Sequence, residues 1–134
     1  GKGLVLVHFA CGAFQEHPEF ATLAGRIWNP AFRAHDPHGT FEVQVKNANH
    51  PITRELEAFQ TVDELYTRLD GSTPITVLCE AVSKVDQKPY PMAFLVENGG
   101  GRVFHSVLGH DPAAFEPDGV RRLYRQATAW AAGL

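Results

Sequence analysis

Near the start of the chain, Leu4-Val5-Leu6-Val7-His8-Phe9 forms an apolar run without polar alternation and with one histidine inside it. A half-exposed strand would alternate polar and apolar residues, so an unbroken aliphatic run describes a strand packed on both faces. Small residues follow, Ala10-Cys11-Gly12-Ala13, and suit a turn. Such a strand belongs inside a sheet, flanked by other strands and covered by helices. Here it is the first element, and the later strands look antiparallel. Either the sheet is unusual or the chain is the later part of a larger α/β unit, and the second reading is preferred.

The remaining pattern is that of one domain spanning residues 1–134. A short helix is predicted over 18–24, closing at Gly25. Residues 28–39 carry Pro30, Pro37 and Gly39 and read as a long loop holding His35, Asp36 and His38. Phe41, Val43 and Val45 alternate with Glu42, Gln44 and Lys46, the pattern of a half-exposed strand. A helical turn capped by Thr53 is expected after His50-Pro51. Asp63-Glu64-Leu65-Tyr66 falls in a loop or short helix. Strands are predicted at 75–81, 92–96 and 102–108, and their short links favour antiparallel hairpins. A final helix from Val120 places Val120, Leu123, Tyr124, Ala127 and Trp130 on one stripe, with Arg121, Arg122 and Arg125 away from it.

Composition narrows the function classes. A hydrophobic content of 44% in 134 residues is enough for a core. Charged residues make up 20% and the net charge is -3, so nothing electrostatic points to nucleic acid. No apolar run has the length of a membrane span. No basic region followed by a cleavage site opens the chain, which favours a soluble cytoplasmic protein. Two cysteines are too few for a disulfide framework, and their spacing fits no zinc motif. Their apolar neighbours describe buried thiols.

Seven histidines carry more information. His8 closes the apolar strand, and ligand sites in open α/β sheets lie beyond the carboxyl ends of parallel strands. Burying an imidazole there is costly unless its nitrogens are hydrogen-bonded. His110 follows Gly109 at a strand end beside Asp111, a placement suited to proton transfer. Asp111-Pro112 also reads as helix cap and first helical residue. Cys11 is a poor nucleophile candidate. A strained strand-to-helix turn needs small residues two positions to either side, and Phe9 stands at one of them, although His110 and Asp111 could partner it. Asp63 and Glu64 are adjacent, so their side chains diverge in either regular structure, and which one faces inward is left open. His35 sits in a loop of a kind that often carries function. His105 shares a strand face with Val103 and Val107 and suits the core, and His17 suits the surface. Arg102 fits an anion or sugar hydroxyl, or else a salt bridge at the strand start. A metal set can be assembled from His8, His35, Glu64 and His110, but none of these has compact ligand spacing. No cofactor is therefore expected, with a divalent cation as the weaker alternative.

Several segments, taken in order, resemble the ThuA-like (trehalose-utilisation) family: Gly3 to His8, His50-Pro51-Ile52-Thr53, Asp63-Glu64-Leu65-Tyr66, Gly101-Arg102-Val103-Phe104, Leu108-Gly109-His110-Asp111 and the closing Trp130-Ala131. The resemblance implies a flavodoxin-like three-layer sandwich, similar to class I glutamine amidotransferases and lacking its first strand–helix units. That would leave one flank of the opening strand free for a second copy or a partner chain. It also implies Glu64 and Tyr66 as pocket residues. The leading expectation is a carbohydrate-related enzyme or enzyme subunit. His110 and His8 would act as acid and base with Glu64, while His35, Tyr66, Asp63, Arg102 and Asp111 contact the sugar. A non-catalytic sugar-binding or accessory module and a metal-dependent hydrolase are the alternatives.

Overall fold

In a computed structural model describing residues 1–134, the opening run forms β1 (Gly3–Val7), and different helices pack its two faces. Leu4 and Leu6 point to the side where Phe20 and Ala24 of α1 (Pro18–Ala24) pack. Val5 points to the other side, against the cluster that contains Val120, Leu123 and Ala127 of α2 (Asp118–Ala132). This two-sided packing explains the absence of polar alternation. The end of α2 crosses β1 so closely that a Cβ on Gly3 would lie 2.0 Å from the Ala131 carbonyl oxygen.

The other strands are β2 (Gly39–Val45), β3 (Phe59–Asp63), β4 (Ile75–Val82), β5 (Pro89–Val96) and β6 (Arg102–Ser106). Together they form one six-stranded sheet in the order β1-β6-β5-β4-β2-β3. Only β1 and β6 run parallel, with Val5 opposite Phe104 and Val7 opposite Ser106. The pairs β4–β5 and β5–β6 are antiparallel, as the short links required. β2 pairs with β3 along residues 39–43 and with β4 only at Gln44 and Val45, which curls the sheet. The architecture is mixed α/β, with one helix on each face of the β1–β6 pair.

β1 is an edge strand whose only partner is β6, and Leu6 is its one buried residue. The expected flanking strand is therefore present on one side alone. β3 had no counterpart in the predicted elements. Its inward positions are Phe59, Thr61 and Asp63, two of them polar, so the alternation that marks a strand is hidden. Thr53 is not a helix cap: its hydroxyl donates to the Asn47 carbonyl, and His50 Nδ1 instead accepts from the Ile52 amide at 3.2 Å. β6 ends at Ser106, two residues before the predicted 108, as the chain turns out of the sheet toward Gly109. α2 starts at Asp118 after Pro117 and stops at Gly133, whose left-handed φ of 83° ends the helix. No helix is long and apolar enough to cross a membrane.

Candidate functional site

The ends of β1, β3 and β6 meet, and the chain leaving each of them supplies a side chain to one shallow cleft. His8 comes directly after β1, at the head of a 3-10 turn (His8–Gly12), with φ +46°. A β-carbon in that left-handed region costs about 1–3 kcal/mol and persists where the surroundings enforce it. Here the ring is anchored: its Nδ1 donates to the Val107 carbonyl at 2.9 Å. The Nε2 lone pair is thereby directed into the cleft, where the Tyr66 hydroxyl donates to it at 2.9 Å. Burial first, then the proximity of Cys11, Glu64 and Asp63, pushes the Tyr66 phenol well up, so it keeps its proton and remains a donor.

Asp63 and Glu64 divide their roles. Asp63 is fully buried at the end of β3, and its carboxylate accepts from the amides of Glu64 (2.8 Å), Gly109 (2.7 Å) and His110 (3.1 Å). It holds the protein together at this point and is not exposed for substrate contact. Glu64 points into the cleft. Its Oε2 lies 3.2 Å from His110 Nδ1 and 3.8 Å from His8 Nε2, and its Oε1 lies 3.8 Å from His35 Nδ1. Asp63 is thus the one that points inward, and Glu64 the one that faces the histidines.

His110 is the most accessible member of this group, and its Nδ1 is 3.4 Å from His8 Nε2. It is presented by Gly109 at φ +120°, where a Cβ would meet the Phe115 ring at 2.9 Å. Asp111 does cap the following 3-10 turn (Pro112–Phe115), its Oδ1 accepting from Ala113 at 2.8 Å. Its other oxygen lies 3.2 Å from His38 Nε2, so the carboxylate both caps and faces the cleft rim.

The 28–39 loop forms the opposite wall. An isolated bridge pairs His35 with Tyr66, and the buried Asp36 carboxylate ties the loop to Ser83 Oγ at 2.7 Å and the Lys84 amide at 2.8 Å. His35 Nδ1 donates to the Asp36 carbonyl at 2.6 Å. Trp28 packs edge-on to Tyr66, with ring centroids 5.3 Å apart, and lies 6.1 Å from His35. Sequence reasoning passed over Trp28 and gave little weight to His38. The available signal was a tryptophan opening the proline-rich loop that also holds His35 and His38.

Two candidates lie elsewhere. Arg102 starts β6, at the far end of the sheet from Ser106, and its Nε donates to the Ala131 carbonyl at 3.1 Å. It ties α2 to the sheet and does not reach this cleft. Cys11 is completely buried, and burial, the largest influence, pushes its thiol up to about 12, which leaves no thiolate near neutral pH. His105 is buried beneath α1, as its strand face suggested, and His17 is on the surface.

A mixed α/β domain with imidazoles and a carboxylate gathered at strand ends belongs to the broad class whose sites are built by loops on a rigid sheet. Within that class, residues 1–131 match the family model ThuA, described as trehalose utilisation, and the chain belongs to the ThuA family. No curated protein matches the sequence. Among solved structures, a ThuA-like protein from Parabacteroides merdae superimposes with a TM-score of 0.85 at 24% identity, over 98% of this chain and 61% of that one. A ThuA-like protein from Bacteroides uniformis gives a TM-score of 0.78 at 20% identity, over 98% and 58%. The chain therefore spans about three fifths of these structures' length, and the likeness establishes the fold.

Proposed function

We propose that the cleft performs acid/base chemistry on a sugar or sugar derivative. The observation that carries this reading is the Glu64–His110 contact of 3.2 Å, with His8 Nε2 3.4 Å from the same His110 nitrogen. Glu64 orients His110 and exchanges a proton with it. His8, its tautomer set by Val107 and its lone pair facing the Tyr66 hydroxyl, serves as the second proton carrier. A substrate hydroxyl entering between them meets an acceptor and a donor within hydrogen-bond reach. Trp28, only partly buried, offers apolar ring surface to the C–H face of a sugar, and the description of the family as trehalose utilisation supports a carbohydrate.

The rival reading is a sugar-binding or accessory module, and the 41% exposure of the His110 side chain favours it. Calorimetric titration and turnover assays with trehalose and a panel of glucosides, on wild type and His110→Ala, separate the two. Catalysis predicts binding retained within a few-fold and turnover reduced by about 10²–10⁴-fold. Ligand binding without turnover in wild type supports the module. A variant identical to wild type in both assays removes His110 from the function.

The same proposal extends to assembly. Helices on both faces of β1 and β6 support a flavodoxin-like, class I glutamine amidotransferase-like plan, completed by strands added at the free edge of β1. Val7 and Phe9 are exposed beside that edge, which suits coverage by a second copy or a partner chain. Light scattering across a concentration series tests self-association, and a monomer throughout removes the second copy.

A further inference from the structure

Three side chains from distant parts of the chain bring one lone-pair atom each to a common point: His8 Nε2, Glu64 Oε2 and His110 Nδ1. Their separations are 3.2, 3.4 and 3.8 Å. A tetrahedral cation with bonds of about 2.0–2.1 Å to nitrogen and oxygen requires ligand atoms about 3.3–3.4 Å apart, so two of the three edges already fit and the third closes by a few tenths of an ångström. From this geometry we infer that the cleft is a binding site for one divalent transition cation of the zinc class, held by His8, Glu64 and His110.

The surroundings of the ligands agree. A metal-binding histidine characteristically donates its other ring N–H to a carbonyl or carboxylate, fixing the free lone pair toward the ion. His8 does this with Val107 at 2.9 Å. The strained φ of +46° at His8 is what aims that lone pair away from the strand and toward Glu64. The positions of Glu64 and His110 are enforced jointly, because the Asp63 carboxylate accepts from both of their amides. An ion pair between Glu64 and His110 accounts for one edge of the triangle, whereas a single cation accounts for all three. In the cation-free arrangement the Tyr66 hydroxyl occupies the His8 lone pair. A cation on His8 Nε2 takes that lone pair from the Tyr66 hydroxyl. Two imidazoles and one carboxylate with an open fourth position form a donor set suited to zinc or cobalt, and a cation there supplies Lewis acidity toward a substrate oxygen. The sequence offered these three together with His35 as a set without compact spacing, its members being 56 and 46 residues apart, and His35 Nδ1 is turned instead to the Asp36 carbonyl.

This inference rests on the same side chains as the sugar reading, with a bound cation taking the lone pairs of His8 and His110 and putting Lewis acidity in place of their proton transfer, and its test needs no substrate. The chelator-stripped full chain is titrated with Zn²⁺ by calorimetry and with Co²⁺ by visible absorption. The expected result is one ion per chain with micromolar or tighter affinity, and cobalt bands of four-coordinate intensity. Glu64→Gln and His110→Ala each weaken binding by more than the roughly 10–100-fold that loss of an outer-shell partner costs. His17→Ala, at an exposed histidine away from the cleft, leaves it unchanged. Circular dichroism and melting of the metal-free variants confirm that they remain folded. Weak binding of several ions, or affinity indifferent to Glu64→Gln and His110→Ala, overturns the inference. Absence of cation binding together with His110-dependent turnover leaves acid/base chemistry standing alone. Tight cation binding with no response to any sugar removes the carbohydrate reading instead.

Discussion

The buried carboxylate of Asp63 accepts the backbone amide of His110 at 3.1 Å, and with the Gly109 amide at 2.7 Å it clamps the end of the β6 segment onto the end of β3. Asp63 therefore acts through His110, as a positioning residue. Its third acceptor contact, to the Glu64 amide, sets both functional side chains from one buried group.

Replacing Asp63 with alanine strands these amides. Leaving buried donors unpaired costs about 1–3 kcal/mol each, partly relieved by water at the cleft rim, so Asp63→Ala is expected to lose about 2–4 kcal/mol in urea unfolding. Asp63→Asn keeps one carbonyl acceptor and loses less. A loss below about 1 kcal/mol for the alanine variant contradicts the clamp.

Gly109→Ala tests the presentation of His110. At φ +120° the added methyl is strained, and it also lies 2.9 Å from the Phe115 ring. A destabilisation of about 1–3 kcal/mol is expected in thermal or urea unfolding, together with weaker ligand or cation binding as His110 shifts. Wild-type stability in this variant would show that the turn tolerates another conformation.

Stability should fall in mild acid through His105. Burial, only partly offset by the hydrogen bond to the Ala24 carbonyl at 2.8 Å, lowers its imidazole from 6.5 to about 4. Between those values the unfolded chain binds a proton that the native chain refuses, so native stability declines as pH drops from about 6.5 to about 4 and levels off below. The full effect is on the order of 3 kcal/mol. In His105→Phe the same contribution vanishes. Urea unfolding of both proteins at pH 7 and pH 4.5 isolates it, because any pH-independent cost of the substitution cancels. Parallel pH profiles would rule out His105 as the source.

Both cysteines are fully buried, and burial pushes each thiol up to about 12. Iodoacetamide at pH 8 should leave the native chain essentially unmodified while labelling both thiols in urea. Cys11→Ala should retain any sugar or cation binding. Rapid labelling of native Cys11 with loss of binding would return the cysteine to the site.

Local features were legible in the chain itself. The unbroken run ending in His8, the Gly109-His110-Asp111 turn, the hairpins and the apolar stripe of α2 each depend on residues a few positions apart, where periodicity and turn chemistry act. The same locality accounts for what was hidden. β3 turns Thr61 and Asp63 inward, and polar inward positions erase the alternation on which a strand is recognised. Only the sheet order brings His8 to Val107, 99 residues away, and to Tyr66, 58 residues away. The same order assigns Asp63 to the backbone and Glu64 to the cleft, sends Arg102 to the far end of β6, and leaves β1 on an edge though its sequence suits the interior. Sequence determined which residues were competent for chemistry. Tertiary structure decided which of them share a site, because hydrogen bonds and ligand distances of about 3 Å are set by strand pairing between segments that carry no local trace of one another.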